Sequence, residues 1–164
     1  GYGKSTGPRS EKILFNDAQF CYDFLKKHYD ENKIIVYGIS LGGAFATKIA
    51  SDNKPKMVIL ECTFYNLQDM AKRWIPAFAT VRIAPVMTYL FLSNVYIQKI
   101  TSPLYFFHGT KDLIVPHKSG KKLFQEFAKA QPNIEKKFIT IKDGSHSDLQ
   151  DFELYKEEMK KILE

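Results

Sequence analysis

Cysteine is scarce in this sequence, which has only Cys21 and Cys62 among its 164 residues. Cys21 falls in a predicted helix and Cys62 in a predicted strand, so we expect both to be small, buried apolar residues. Nothing in their number or spacing suggests a disulfide framework or a metal site. The sequence therefore predicts a fold stabilised by an apolar core rather than by covalent or metal cross-links.

Long runs of one residue type are also absent. Lysine and arginine outnumber the acidic residues by 24 to 18, a net charge of +6, but no run of five basic residues occurs. Scattered lysines favour a solvated surface over a nucleic-acid-binding stripe, and attraction to an anionic membrane surface stays open.

The longest apolar stretch without charge, residues 83–98, has sixteen residues and contains Pro85. It is too short and too kinked to span a bilayer.

The size and composition of the chain are those of one globular domain, with 45% hydrophobic and 26% charged residues. The sequence contains no signal peptide, and it opens on Gly1-Tyr2-Gly3, a loop without an initiator methionine. We therefore expect a fragment of a longer protein. Cytoplasm is the default location, and a membrane anchor before Gly1 is the alternative.

Apolar strands alternate with amphipathic helices along the chain. Strands are predicted before Gly38 and at residues 57–62, 104–108 and 136–142, the last as an edge strand. Helices are predicted after Gly42 and at residues 16–29, 117–130 and 151–163. For the first helix the expected cap is Asn16 or Asp17, and the expected apolar face contains Ala18, Cys21, Phe24 or Leu25, and His28. The alternation predicts an α/β fold, a parallel sheet with helices on both faces.

Residues 38–42 read Gly-Ile-Ser-Leu-Gly, a G-x-S-x-G motif between a strand and a helix. The β-branched run before it predicts a buried parallel strand. A sharp turn at Ser40 needs small residues two positions before and after the serine. The turn would place Ser40 at a helix N-terminus, where the amide of Leu41 points at an oxyanion. Ser40 is therefore the candidate nucleophile.

A serine hydroxyl needs a general base, and four histidines compete for that role. His28 and His117 fall at helix ends, which favours surface positions. His108 ends the third strand and stays open as an alternative base. His146, in the polar loop between the last strand and the last helix, is favoured by its placement.

Asp112 follows the third predicted strand by a tight turn and is the candidate acid. The alternative is that Asp112 only caps this turn, as aspartates commonly do. Ser40, Asp112 and His146 occur in this order, each just after a predicted parallel strand. That order is typical of the α/β-hydrolase triad and differs from that of the trypsin-like and subtilisin-like proteases.

Four motifs together resemble the α/β-hydrolase superfamily. Residues 1–7 resemble the G-Y-G-x-S-x-G loop after its fourth strand, and residues 37–43 resemble its nucleophile elbow. Residues 108–116 resemble the acid loop and residues 144–146 the histidine loop. Within the superfamily the chain is most similar to the serine aminopeptidase-like and Bem46-like hydrolases.

The resemblance implies a Ser40–His146–Asp112 triad that works through an acyl-enzyme, with no metal or organic cofactor. It also implies that residues 1–164 are the C-terminal portion of a catalytic domain. The first strands, and the His-Gly loop that carries the second oxyanion donor in that family, would precede Gly1. Such a chain would have an exposed sheet edge and reduced activity.

Residues 63–99 interrupt the strand–helix alternation. We expect a short helical cap insertion over the C-terminal edge of the sheet, where ligands bind in open α/β sheets. The candidate pocket residues for an acyl chain or aromatic group are Phe64, Trp74, Met87 and Leu113. The alternative is that the insertion only covers the core.

The predicted function is hydrolysis of a small-molecule carboxylic ester or related acyl bond. A peptidase of the same fold would need an acidic group for the substrate amine, and residues 70–98 contain none, although Glu61 and Asp69 precede them. A catalytically silent binding module is a further alternative. Gly3-Lys4-Ser5 also matches the end of a P-loop, but the earlier glycine is missing and Gly7-Pro8 follows.

Overall fold

A computed structural model describes residues 3–4, 6–74 and 87–164, with only the backbone at position 74. The helices are α1 Glu11–Lys26, α2 Leu41–Asp52, α3 Leu67–Trp74, α4 Ser93–Tyr96, α5 His117–Ala130 and α6 Glu153–Leu163. The strands are β1 Ile35–Ile39, β2 Met57–Glu61, β3 Leu104–Gly109 and β4 Lys136–Ile141. Short 3₁₀ turns lie at Glu31–Lys33, Ile97–Lys99 and Leu149–Asp151.

The four strands form one parallel sheet in the order β1-β2-β3-β4. Each strand pairs in parallel with its neighbour in sequence; Ile35 lies opposite Met57, Val58 opposite Leu104, and Leu104 opposite Lys136. All strands therefore end at the same edge, and the loops that follow β1, β3 and β4 meet there. The α/β fold and β4 as an edge strand are confirmed.

Helices cover both faces of this sheet. On one face α2 and α5 pack on the strands; the buried cluster is Ala46, Ala50, Val58, Leu60, Leu104, Phe106, Leu123 and Phe127, with Ile97 and Ile100. On the other face α6 contributes Tyr155 and Ile162 to a cluster with Ile59, Phe107, Ile139 and Ile141. The interior strands are apolar on both faces because both are covered.

The first helix begins five residues earlier than predicted. Ser10 is its N-cap, and the Ser10 side chain accepts a hydrogen bond from the amide of Ile13. The predicted caps Asn16 and Asp17 lie inside the helix, whose buried residues are Phe15 and Tyr22.

The predicted apolar face of this helix is rotated away from the core. Cys21 and His28 are exposed, as are Phe24 and Leu25, and Ala18 is half-buried. The expectation of a buried Cys21 is therefore wrong, whereas the expectation for Cys62 is confirmed, since it is fully buried. Both cysteines are free thiols.

The strand before Ser40 is not the buried strand that its composition predicted but lies at an exposed sheet edge, as the resemblance implied. Among the described residues β1 pairs only with β2, and only Gly38 of the five strand residues is buried. Tyr37 and Ile39 are 45% and 47% exposed. An apolar β-branched run signals a strand but does not distinguish an edge from the interior of a sheet.

The predicted insertion, residues 63–99, is only partly described. Ser93 and Ile97 at its end are buried, and Ile97 packs in the core cluster between α2 and α5. This part belongs to the body of the domain, whereas residues 75–86 lie outside the described residues. None of the helices that the structure describes is long and apolar enough to cross a membrane.

The Gly3-Lys4 pair lies in a turn, and residues 6–10 are not helical. A P-loop would run directly into a helix at this point.

Candidate active site

The turn from β1 into α2 places Ser40 in a backbone conformation that residues other than glycine rarely adopt. Ser40 has φ 52° and ψ −118°. Its amide donates to the carbonyl of Glu61 at 2.7 Å, which fixes the turn to the end of β2. A non-glycine residue at positive φ persists only where its surroundings enforce it, and such strain is common at functional sites.

Small residues are required around Ser40, but not at both predicted positions. A Cβ at Gly38 would lie 2.5 Å from the carbonyl oxygen of Gly42. Among the residues that the structure describes, a Cβ at Gly42 itself would meet nothing within 4 Å, so for this part of the chain the prediction for that position is wrong. The close approach is instead at Gly43, where a Cβ would lie 1.8 Å from Oγ1 of Thr63.

The three candidate catalytic side chains form a continuous hydrogen-bonded chain. Oγ of Ser40 lies 2.9 Å from Nε2 of His146, and Nδ1 of His146 lies 2.8 Å from Oδ2 of Asp112. The loops after β1, β3 and β4 supply one residue each. His146, and not the alternative His108, faces the serine.

Asp112 is buried and accepts several hydrogen bonds. Its Oδ1 accepts from the amides of Ile114 at 2.9 Å and Val115 at 2.8 Å. Burial alone would raise the pKa of this carboxyl group, but hydrogen bonds from His108, His146 and Val115 together hold the pKa well below its usual range. Asp112 does cap its turn, as the alternative interpretation held, and it also contacts His146.

His108 lies against Asp112 in the core. Its ring is fully buried, and Nε2 lies 2.9 Å from the carbonyl oxygen of Val115 and 3.4 Å from Oδ2 of Asp112. Both neighbours are acceptors, so Nε2 carries the proton. Gly120 leaves room for the ring, since a Cβ there would lie 2.1 Å from Nδ1 of His108. Sequence reasoning kept His108 as an alternative base and did not predict this contact with Asp112.

The predicted oxyanion donor, the amide of Leu41, is the first of α2. The first amides of a helix have no acceptor within the helix and carry its positive dipole. This position next to Ser40 fits the predicted role.

The predicted pocket residues differ in their burial and surroundings. Phe64 packs in a buried cluster with Phe15, Ala44, Phe91 and Val115. Leu113 is 75% exposed, and Met87 is half-buried. The side chain of Trp74 lies outside the described residues. Their role in a pocket stays a prediction.

A hydrogen-bonded network beside the turn had no signal in the sequence. A carboxylate oxygen of Glu61 accepts from the hydroxyl of Tyr37 at 2.5 Å and from that of Tyr155 at 3.0 Å. Burial, reinforced by the hydrogen bonds that Tyr37 makes with Glu61 and with the hydroxyl of Tyr155, raises the pKa of Tyr37. Tyr155 lies 94 positions from Glu61, on the last helix, so no local pattern could predict the contact.

Cys62 also lies against the site. Its sulfur, a carboxylate oxygen of Asp112 and a ring nitrogen of His146 lie within 4.8 Å of one another. These are metal-ligating atom types, but an ion there would have to break the bond between His146 and Asp112. Burial and the nearby charge of Asp112 raise the pKa of the Cys62 thiol, which opposes the thiolate that metals bind.

A strained serine after a parallel strand, hydrogen-bonded to a histidine and an aspartate from later loops, defines the α/β-hydrolase class. The family model described as serine aminopeptidase, S33, matches residues 1–96, and the chain belongs to this hydrolase family.

Similarity to individual proteins agrees with this assignment. Protein bem46 of Schizosaccharomyces pombe is 36% identical, and the match covers 81% of this chain and 49% of the length of bem46. Lysophosphatidylserine lipase ABHD12 of Macaca fascicularis is 28% identical, and the match covers 91% of this chain and 41% of the length of the lipase. The chain thus spans about half the length of the curated relatives it matches.

Solved structures show the same fold. The Pyrococcus furiosus esterase Pf2001 matches with a TM-score of 0.70 and 22% identity, covering 98% of this chain and 65% of the esterase. The acetyl xylan esterase of Paenibacillus sp. R4 matches with a TM-score of 0.71 and 17% identity, covering 92% of this chain and 51% of the esterase.

Proposed function

We propose that the chain is the triad-bearing part of a serine hydrolase that cleaves a carboxylic ester or related acyl bond. The observation that carries the proposal is the unbroken hydrogen-bonded chain from Ser40 through His146 to Asp112. In such a chain the histidine accepts the proton of the serine and the carboxylate stabilises the resulting imidazolium, which makes a serine hydroxyl nucleophilic at neutral pH.

In the proposed mechanism, Nε2 of His146 accepts the proton of Ser40 as the serine oxygen attacks the acyl carbonyl carbon. The amide of Leu41 donates to the oxyanion. His146 then gives its proton to the leaving alcohol, and water, activated by the same histidine, releases the acid from the acyl-enzyme. Asp112 stays ionised and orients His146 throughout. Its lowered pKa fits this role.

The acidic residues near the site support esters over peptides. A peptidase that trims N-termini would hold the substrate ammonium with a free carboxylate. Glu61 is engaged by Tyr37 and Tyr155, and Asp69 by Lys122 at 3.2 Å and Ser119 at 3.4 Å. Similarity to a lipase agrees with an acyl ester. Because the matching family model is described as serine aminopeptidase, aminopeptidase activity is the second candidate.

The test is covalent labelling with a fluorophosphonate probe, which needs an activated serine but no particular substrate. We expect labelling of the chain and none of Ser40→Ala, with Ser147→Ala, an exposed serine of the histidine loop, as the matched control. The same labelling is repeated on a longer form of the protein that includes the segment before Gly1. If neither form is labelled, the catalytically silent binding module is the better explanation. Turnover of p-nitrophenyl esters against aminoacyl p-nitroanilides then separates esterase from aminopeptidase.

A further inference from the structure

The loop after β4 carries His146, and the ring of this histidine must reach two partners at once. Its Nε2 lies 2.9 Å from Oγ of Ser40, and its Nδ1 lies 2.8 Å from Oδ2 of Asp112. Within the part of the chain that the structure describes, the amides of His146 and Ser147 donate to no backbone carbonyl group. Other groups must therefore fix the backbone on either side of this histidine.

The acid loop fixes the first part of the loop after β4. The amide of Lys111 donates to the carbonyl oxygen of Gly144 at 2.8 Å. The amide of Asp143 donates to Oγ1 of Thr110 at 2.8 Å. These contacts hold the loop as far as Gly144 and leave residues 145–148 to be fixed by another group.

The side chain of Asp148 fixes the second part. Its Oδ1 accepts a hydrogen bond from the amide of Ser145 at 2.6 Å. Hydrogen bonds from the hydroxyl and the amide of Ser145 hold the pKa of Asp148 below its usual range, so the carboxylate is ionised at neutral pH and the bond is charge-assisted. This bond closes the backbone around His146, which lies one residue after Ser145 and two residues before Asp148.

Asp148 does not act as an ordinary helix cap. It is the N-cap residue of the 3₁₀ turn Leu149–Asp151, and an aspartate at an N-cap usually accepts from an amide of the first turn. Here the side chain makes no such bond and reaches back to Ser145. The turn is held instead by the amide of Asp151, which donates to the carbonyl oxygen of Asp148 at 3.0 Å, and by the fully buried Leu149. The carboxylate therefore stabilises the segment before the turn, which contains His146.

We propose that Asp148 is a positioning residue of the active site. Its carboxylate closes the loop across His146 and thereby holds the ring between Ser40 and Asp112. A displacement of about 1 Å in a catalytic group can cost about 10²-fold in rate, so the closure has a kinetic consequence. Asp148 makes no hydrogen bond with any of these three side chains, so its action is indirect. The kinetic consequence rests on the proposed function, whereas the position of the ring does not.

The first experiment compares the rates of fluorophosphonate labelling of Ser40. Asp148→Ala removes the acceptor and should slow labelling by roughly tenfold or more. Asp148→Asn keeps an oxygen as acceptor and should retain most of the rate. Asp148→Glu keeps the charge but moves the acceptor by one methylene group, so it should slow labelling more than Asp148→Asn does. A rate that follows the charge instead of the acceptor would overturn the proposal, as would an unchanged rate in Asp148→Ala.

The matched control removes an acidic group from the same turn. Asp151 is exposed, and its side chain accepts no hydrogen bond in the part of the chain that the structure describes. Asp151→Ala should therefore leave the labelling rate unchanged, and slowing equal to that of Asp148→Ala would overturn the proposal. Urea denaturation gives the folded fraction of each variant, so that rates are compared per folded molecule. If Asp148→Ala does not fold, the comparison of Asp148→Asn with Asp148→Glu still decides.

The second experiment observes the ring of His146 without turnover. A ring N–H that is hydrogen-bonded to a carboxylate gives a far-downfield proton NMR signal, and His146→Gln identifies the signal of this ring. The signal should be lost or exchange faster with water in Asp148→Ala, and it should be retained in Asp148→Asn. An unchanged signal in Asp148→Ala would overturn the proposal. Loss of the signal in Asp148→Ala, with no labelling of Ser40 in either form of the unsubstituted protein, would instead sink the proposed function alone.

Discussion

Nε2 of His108 lies 3.4 Å from Oδ2 of Asp112, and neither side chain has any exposed surface. The same oxygen accepts from His146 at 2.8 Å, so two histidines meet on one carboxylate oxygen. His146 continues the chain to the nucleophile, whereas His108 ends it in the core, with no partner for Nδ1 among the described residues. The second histidine thereby helps to fix the position of the acid.

Removing the His108 donor should slow the reaction of Ser40. We expect His108→Leu to lower the fluorophosphonate labelling rate by about tenfold, because one hydrogen bond to a charged group is worth about 1.5 kcal/mol. His108→Gln can replace Nε2 as a donor and should recover much of the rate. Equal rates in the two variants would contradict a positioning role. Chemical denaturation of both variants distinguishes a loss of Asp112 positioning from a loss of folded protein.

The stability contributed by Asp112 should depend on pH in a defined direction. Its pKa is lowered in the folded chain, so the unfolded state binds more protons in the interval between the two pKa values. The contribution is therefore complete above the ordinary aspartate pKa of about 3.9 and is lost as the pH falls below it.

This expectation is tested by urea unfolding of the chain and of Asp112→Asn between pH 7 and pH 3. The difference in unfolding free energy should be constant from pH 7 to about pH 5 and should narrow at lower pH. A difference that widens on acidification would contradict the assignment of a stabilised carboxylate.

Much of the site could be predicted because each of its residues has a signal in the sequence immediately around it. Ser40, Asp112 and His146 each follow a strand, and parallel strands bring the loops at their carboxyl ends to one edge. Periodicity and turn residues made all three candidates, the order Ser-Asp-His favoured them over the alternatives, and the structure brings them within hydrogen-bonding distance.

The rest depends on contacts between residues distant in sequence. The exposure of β1 depends on which strands pair with it. Tyr155 reaches Glu61 only because α6 packs across the sheet. Residue type and spacing contain no signal for such contacts, since tertiary packing determines them.

The two tyrosines that donate to Glu61 should differ in their contribution to stability. Tyr155 is 9% exposed and Tyr37 is 45% exposed, so water can replace a lost donor more easily at Tyr37. We expect Tyr155→Phe to lower the unfolding free energy by about 1.5 kcal/mol, as for a bond to a charged acceptor, and Tyr37→Phe by less. Urea denaturation checks the order, and the reverse order would show that the shorter bond from Tyr37 dominates the network.

Two adjacent glycines of α2 should respond in opposite directions to the same change. A methyl group at Gly43 would overlap Thr63, with 1.8 Å to Oγ1, whereas one at Gly42 meets no atom of the described part of the chain within 4 Å. We expect Gly43→Ala to destabilise the chain by about 1–3 kcal/mol through overpacking. Gly42→Ala should stabilise it by up to about 1 kcal/mol, because alanine favours the helix.

Thermal or urea unfolding of the two variants gives the comparison, and Gly42→Ala is the matched control for helix propensity. Adding Thr63→Ala to Gly43→Ala removes two of the three clashing atoms and should recover part of the loss, so the two changes should not be additive. If Gly43→Ala were as stable as Gly42→Ala, the close packing of α2 on Thr63 would be refuted.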